Sequence, residues 1–235
     1  LSALSIDALL PGLKDIATSI NIADAKDNQL MVTMIFLGLG FGQLISGPLS
    51  DSLGRKTVIY IGYVVFAAAS VVCIFSTSME TMLVGRVLQG IGLSAPRTVS
   101  MAIVRDRFSG DKMAKIMSFV TVIFIIVPVI APSFGKLMLG LFGWQSIFIS
   151  QIVLGLLVIV WLAKRQPETL KSAYRKKMKF ALYRDGIKEF LKHKQSVVFT
   201  LVLGFVSASF LTYISASQQI FQDQYGLIDE FPFIF

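Results

Sequence analysis

Three charged side chains, Asp7, Arg86 and Arg97, lie inside stretches that are otherwise apolar. Charge in such a setting is costly unless it faces protein or water, so each is a functional hypothesis by default. Asp7, on a helix in low-dielectric surroundings, would exchange protons at physiological pH. The competing reading is a partly solvated carboxylate near the outer end of that helix. Arg86 must find acceptors: it would perturb or relay protonation, or serve as a structural arginine bonded to carbonyls. Arg97 would line a cavity and meet an anionic substrate, or bond its kinked neighbours. Gln89, three residues after Arg86, is placed to hydrogen-bond a substrate, whereas Gln43 and Gln151 read as stitches between helices. No HExxH, GxSxG or GxxxxGK[ST] string occurs, which leaves no basis for an enzyme or an ATP-driven pump. The single Cys73 excludes an internal disulfide and a multi-cysteine metal site, and the single His193 reads as a solvated loop residue. No metal site and no cofactor are expected.

The elements that must position these residues are membrane spans. The chain is 54% hydrophobic and only 15% charged, against about a quarter charged in soluble domains. A spanning helix needs ~20 mostly apolar residues, and six stretches qualify: Leu30–Leu49, Val58–Ser78, Thr81–Val104, Ile116–Phe134, Leu137–Ala163 and Ser196–Ile220. Gly143-Trp144 suits an interfacial start within the fifth of these. Leu1–Leu10 suits the tail of a first helix and Phe231–Phe235 the start of an eighth, so both ends read as cuts.

Net charge is +8, and all of it resides in Lys164–Lys194, with eleven Lys/Arg and three Asp/Glu. A basic block between apolar spans reads as a cytoplasmic loop near anionic lipid, and no aromatic-basic motif suggests nucleic acid. Within it, Phe180, Tyr183, Ile187 and Leu191 recur at helical spacing, as in an amphipathic helix at a membrane surface. Seventeen Lys/Arg fall in the loops after the second, fourth and sixth helices. Only Lys14, Lys26 and Lys136 fall on the opposite side. The excess places the N-terminus in the cytoplasm.

Short strings carry a resemblance. Gly47-Pro48-Leu49-Ser50-Asp51-Ser52-Leu53-Gly54-Arg55-Lys56-Thr57 reads as a loop in which Gly47 admits a close helix and Gly54 a tight reversal. Asp51 would pair with a cation or a helix N-terminus, and Arg55 and Lys56 would hold the loop at the cytoplasmic face. The string resembles the GxLxDxxGRK signature of the major facilitator superfamily. Arg86-Val87-Leu88-Gln89-Gly90-Ile91-Gly92 resembles that superfamily's RxxQGxG motif. The fifth helix carries Pro128, Pro132 and Gly135, which would kink it around a central cavity. Ala131-Pro132-Ser133-Phe134-Gly135 resembles the antiporter motif GPxxGG, with Ala131, Lys136 and Val127 departing from its glycines. Leu4-Ser5-Ile6-Asp7-Ala8-Leu9-Leu10-Pro11 resembles the LSxDMYLP segment of the Bcr/CflA drug-resistance branch, departing at Ala8 and Leu9. Ala95-Pro96-Arg97 and Val104-Arg105-Asp106 look like that branch too.

The resemblance implies an all-α membrane protein. Residues 1–163 would form a six-helix N-terminal bundle, residues 164–195 a basic cytoplasmic linker, and residues 196–235 the start of a second bundle. It implies a secondary active transporter, a proton-coupled antiporter exporting drugs or small metabolites across a bacterial-type inner membrane by alternating access. Asp7 and Arg86 would carry coupling, with the proton gradient as driving force and no cofactor. The Gly47–Thr57 latch would meet a helix of the second bundle. Membrane lipid is the expected surrounding partner, nucleic acid is not, and a monomer is implied. A proton-coupled nutrient importer on the same fold is the nearest rival.

Overall fold

The computed structural model of the chain describes residues 1–20, 28–170, 172–175 and 180–225. Among them the fold is helical, with no strand. The order is α1 (Ser2–Asp7), a 3-10 turn (Leu10–Gly12), α2 (Leu13–Ser19), α3 (Asn28–Leu53), α4 (Arg55–Ile74) and α5 (Met79–Arg107). Then come α6 (Gly110–Phe142), α7 (Gln145–Arg165), a 3-10 turn (Ser172–Tyr174), α8 (Phe180–Lys192) and α9 (Lys194–Tyr225). The five helices α3 to α7 are long and apolar enough to cross a membrane, and α9 adds an apolar stretch over Lys194–Ser209.

Several boundaries differ from those expected. The charged string after the first full span is almost entirely helical: α3 runs through Pro48 to Leu53, α4 begins at Arg55, and Gly54 alone makes the reversal. Its φ of 101° is one that side-chain-bearing residues rarely adopt. Lys136 lies inside α6 instead of in a loop, and the chain turns at Gly143, whose φ is 80°. A single lysine near a helix end can reach the interface along its aliphatic stem, so it does not break a span. Gly143-Trp144 does immediately precede α7. Lys14 stands on the short helix α2, where a loop was expected. Lys26 and the expected start of an eighth span at Phe231–Phe235 lie outside the described residues, as does part of the basic linker.

α5 is the hub. It packs against α3 on one side and α4 on another, α1 lies along α6, and α7 rests on α4. Helices associate in lipid by close contact of small residues. A Cβ on Gly90 of α5 would fall on the Ile35 carbonyl of α3, and one on Gly38 would fall on the Val87 carbonyl. Gly62 and Gly92 set the α4–α5 contact in the same way. These crossings bring the middle of α5, which carries Arg86, Gln89 and Arg97, against α3 and α4.

α8 forms over the span read as amphipathic. Ile187 and Leu191 are exposed at 58% and 60%. That leaves an apolar stripe open beside Lys188 and Lys192, as suits a helix lying on a membrane surface.

Candidate functional site

Arg86 is fully buried, and its guanidinium is satisfied without an acid. Nε donates to the Met31 carbonyl of α3 at 2.9 Å. The two terminal nitrogens donate to the Ser5 carbonyl of α1 at 3.3 and 3.2 Å. One of them also donates to Gln89 Oε1 at 2.8 Å. Gln89 Nε2 in turn donates to Ser70 Oγ at 2.7 Å, and that hydroxyl donates to the Phe66 carbonyl. One chain of hydrogen bonds therefore ties α1, α3, α4 and α5. α1 ends at Asp7, so the Ser5 carbonyl belongs to the set that a helix end leaves without a helical partner. Of the two roles open to Arg86, the geometry adopts the carbonyl-bonded one. Its acceptor Ser5 stands two positions before Asp7 on α1. Gln89 has both polar ends engaged by protein, unlike the free substrate ligand anticipated for it.

Asp7 is 2% exposed, and its Oδ1 has no hydrogen-bond partner. It faces a cavity of about 340 Å3 whose lining includes Phe36, Gln43, Arg97, Phe124 and Pro128. Among the described residues, Asp7 is the only acidic side chain lining these cavities. The wall positions on α3 and α6 lie near the middle of those helices, where transporter sites are generally built. Arg97 reaches the same cavity with its guanidinium 5.3 Å from the centroid of the Phe124 ring. Gln43 lines this cavity instead of stitching helices. Gln151 is fully buried with both side-chain polar atoms unpartnered, so it does not stitch either.

α6 supplies the wall opposite α1. Pro128 and Pro132 lie within its unbroken helical run. Proline has no N–H, so the carbonyls of Phe124 and Pro128 lose their partners one turn on. Gly135 follows where α6 meets the end of α1: a Cβ there would overlap the Ala8 carbonyl. The kink motif thus presses α6 against the residue next to Asp7.

The charged string makes a separate cluster at one end of the bundle. Arg55 is 7% exposed and donates to Asp51 Oδ1 at 2.6 Å, Ser50 Oγ at 2.6 Å and Asp106 Oδ2 at 2.9 Å. Lys56 Nζ donates to the Ala163 carbonyl at 3.2 Å and sits 5.9 Å from the Tyr60 ring centroid. Among the described residues nothing lies within 4 Å of where a Gly47 side chain would begin, so the close helix expected there is not among them. A residue not anticipated from the sequence completes the cluster. Glu168, just after α7, accepts the backbone N–H groups of Arg55 and Lys56, each at 3.0 Å, and so caps the N-terminus of α4. It also accepts those of Thr169 and Leu170. Partial burial pushes the Glu168 carboxyl up, but the N–H donors of Leu170, Lys56, Arg55 and Thr169 outweigh it and hold the group below the usual glutamate range. Thr169 Oγ1 adds a bond to Asp106. The linker is thereby fastened to both α4 and α5. Among the described residues no cluster suited to a metal ion occurs.

The profile of the Major Facilitator Superfamily matches residues 1–230. An uncharacterized MFS-type transporter, YdgK of Bacillus subtilis, is 34% identical over 97% of the chain and 57% of its own length. A bicyclomycin resistance protein homolog of Haemophilus influenzae is 28% identical over 100% of the chain and 59% of its own length. The multidrug resistance protein MdtL of Citrobacter koseri is 36% identical over 72% of the chain and 44% of its own length. The chain thus spans about half the length of these relatives. Among solved structures, the human organic anion transporter MFSD10 (TETRAN) superposes with a TM-score of 0.53 over 77% of this chain and 48% of that one. At 23% identity that likeness bears on the fold alone.

Proposed function

The chain belongs to the major facilitator superfamily, with relatives consistent with its Bcr/CflA branch, and we propose that it forms the N-terminal part of a proton-coupled exporter of drugs or small metabolites. One observation carries this reading: Asp7, buried and with an unpartnered oxygen, lines a cavity near mid-helix. Asp7 takes up and releases the proton. Arg86 acts through the backbone, holding the end of α1 that carries Asp7. Alternating access needs the second bundle to rock against this one, with the cluster around Arg55 and Glu168 closing one side. The relatives named for bicyclomycin and multidrug resistance point the substrate toward drug-like molecules. The protein is a multi-pass membrane protein; its bacterial relatives support an inner membrane, and the basic excess supports an N-terminus and linker on the cytoplasmic side. It works as a monomer with no cofactor.

The test uses the transporter expressed from its complete gene in inside-out vesicles under an inward-acid gradient. Cationic dyes, phenicols and small metabolites are added in turn. Substrate-dependent collapse of the gradient is the expected result, and silence toward every compound from correctly folded protein counts against export. The fifth-helix motif disfavours the rival reading, a proton-coupled importer on the same fold, only weakly because Ala131 and Lys136 replace its glycines. Uptake in whole cells that follows the gradient inward identifies it.

A further inference from the structure

Two cavities meet at one pair of side chains. The first, of about 340 Å3, contains Asp7, Phe36 and Gln43. The second, of about 440 Å3, is lined by Ser100, Met101, Val104, Val120 and Thr121 among others. Along α5 it lies nearer Arg105 and Arg107, at the helix end whose Asp106 joins the Arg55 cluster. Among the described residues, Arg97 and Phe124 alone line both cavities. A molecule passing from the latch end toward Asp7 therefore moves along this pair.

The chemistry of the pair is selective. Among the described residues the Arg97 guanidinium makes no hydrogen bond and no ion pair; the Phe124 ring face is its one contact of that kind. A guanidinium resting on a ring keeps its planar fork of N–H donors for a partner, and that fork matches a carboxylate bidentately. Both chambers around it are walled mainly by apolar side chains, which screen charge poorly. Asp7 makes no contact with Arg97 that would neutralise it. Arg86, the other arginine in the apolar part of α5, has its donors taken by Met31, Ser5 and Gln89.

We propose that the Arg97–Phe124 pair is the charge-selecting station of the transport path, anchoring the carboxylate of an aromatic or otherwise apolar organic anion and turning away permanent cations. This rests on the export reading above and names its substrate class. The guanidinium binds the carboxylate, the Phe124 and Phe36 rings hold the apolar body, and Asp7 handles the proton on the side of the station away from the latch.

The test uses the complete transporter in inside-out vesicles under an inward-acid gradient. The probes are fluorescein and rhodamine 123, which share a xanthene body and differ in the sign of their charge. The unaltered protein should accumulate fluorescein over rhodamine 123 roughly tenfold or more. Arg97→Lys should keep the preference in weakened form, Arg97→Gln should bring the ratio near one, and Arg97→Glu should reverse it. Should Arg97→Gln fail to fold, as judged by gel filtration and thermal unfolding, Phe124→Leu replaces it and should weaken the preference without changing its sign. A preference for rhodamine 123, or a ratio indifferent to these substitutions in folded protein, overturns the inference. Gradient collapse by neutral chloramphenicol without any charge preference overturns it while leaving the export reading intact. Absence of collapse with every compound overturns both.

Discussion

Arg86 spends two of its hydrogen bonds on the carbonyl of Ser5, two residues before Asp7, and none on Asp7 itself. An arginine buried in a membrane bundle is usually expected to seek an acid. Here it holds the strand of backbone that sets where the acid sits, while the acid faces the cavity. Division of the two roles leaves Asp7 free to change its charge without breaking the bundle's central hydrogen-bond chain.

Arg86→Ala should therefore act first on architecture. It orphans acceptors on Met31, Ser5 and Gln89. At about 0.6–1.7 kcal/mol for each of the three acceptors in a membrane bundle, the loss is roughly 2–5 kcal/mol. Thermal unfolding of the purified complete protein in detergent measures it. Arg86→Lys keeps the charge but lacks the fork that reaches α1, α3 and Gln89 together, so it should recover only part of the stability and little transport.

The contact between α6 and α1 offers a paired test. Gly135→Ala sets a methyl against the Ala8 carbonyl, a rigid neighbour, and should cost about 1–3 kcal/mol and depress transport. Gly140→Ala, on the same helix with nothing within 4 Å, should be neutral in both assays. Equal effects at the two positions would remove the α1 contact from the account.

Glu168 gives a pH signature at the latch. Its folded carboxyl titrates below the usual glutamate range, so its contribution to stability is complete above that range and is lost as pH falls through the lower folded value. Glu168→Gln should lower stability near neutrality by about 0.5–2 kcal/mol, as for loss of a helix cap. It should also flatten the acid side of the stability–pH curve. Unfolding midpoints collected from neutral to acid pH for the two proteins check both effects.

Helix content was largely legible because long apolar runs have one common solution in lipid: all six stretches read as spans are helical here, and five of the helices are long and apolar enough to cross. Boundaries were harder where a single charge interrupted a run. Lys136 looked like a loop residue, yet one lysine does not end a helix, and the true break falls at Gly143, where the backbone turns to positive φ. Short strings marked Asp7, Arg86, Arg55 and Gly135 as important but did not give their partners. The partner of the Arg55 amide is Glu168, 113 residues away, and no local pattern announces such a contact. The glutamines were read the wrong way round for the same reason. Whether Gln43 or Gln89 reaches a cavity depends on which face of its helix meets a neighbour, and in spans apolar on every side the sequence leaves that face open.

The central claim is that Asp7 carries the proton. The most direct measurement compares the complete transporter with its Asp7→Asn form in proteoliposomes, using as probe the compound that collapses the gradient in the vesicle assay. Proton movement is followed with a trapped pH-sensitive dye, and gradient-free exchange with the same compound in labelled form. The account predicts that Asp7→Asn abolishes probe-driven proton movement while exchange persists, since the amide fills the same space in the cavity but does not release a proton. Proton movement at an undiminished rate in folded Asp7→Asn protein would contradict it and move the coupling site elsewhere.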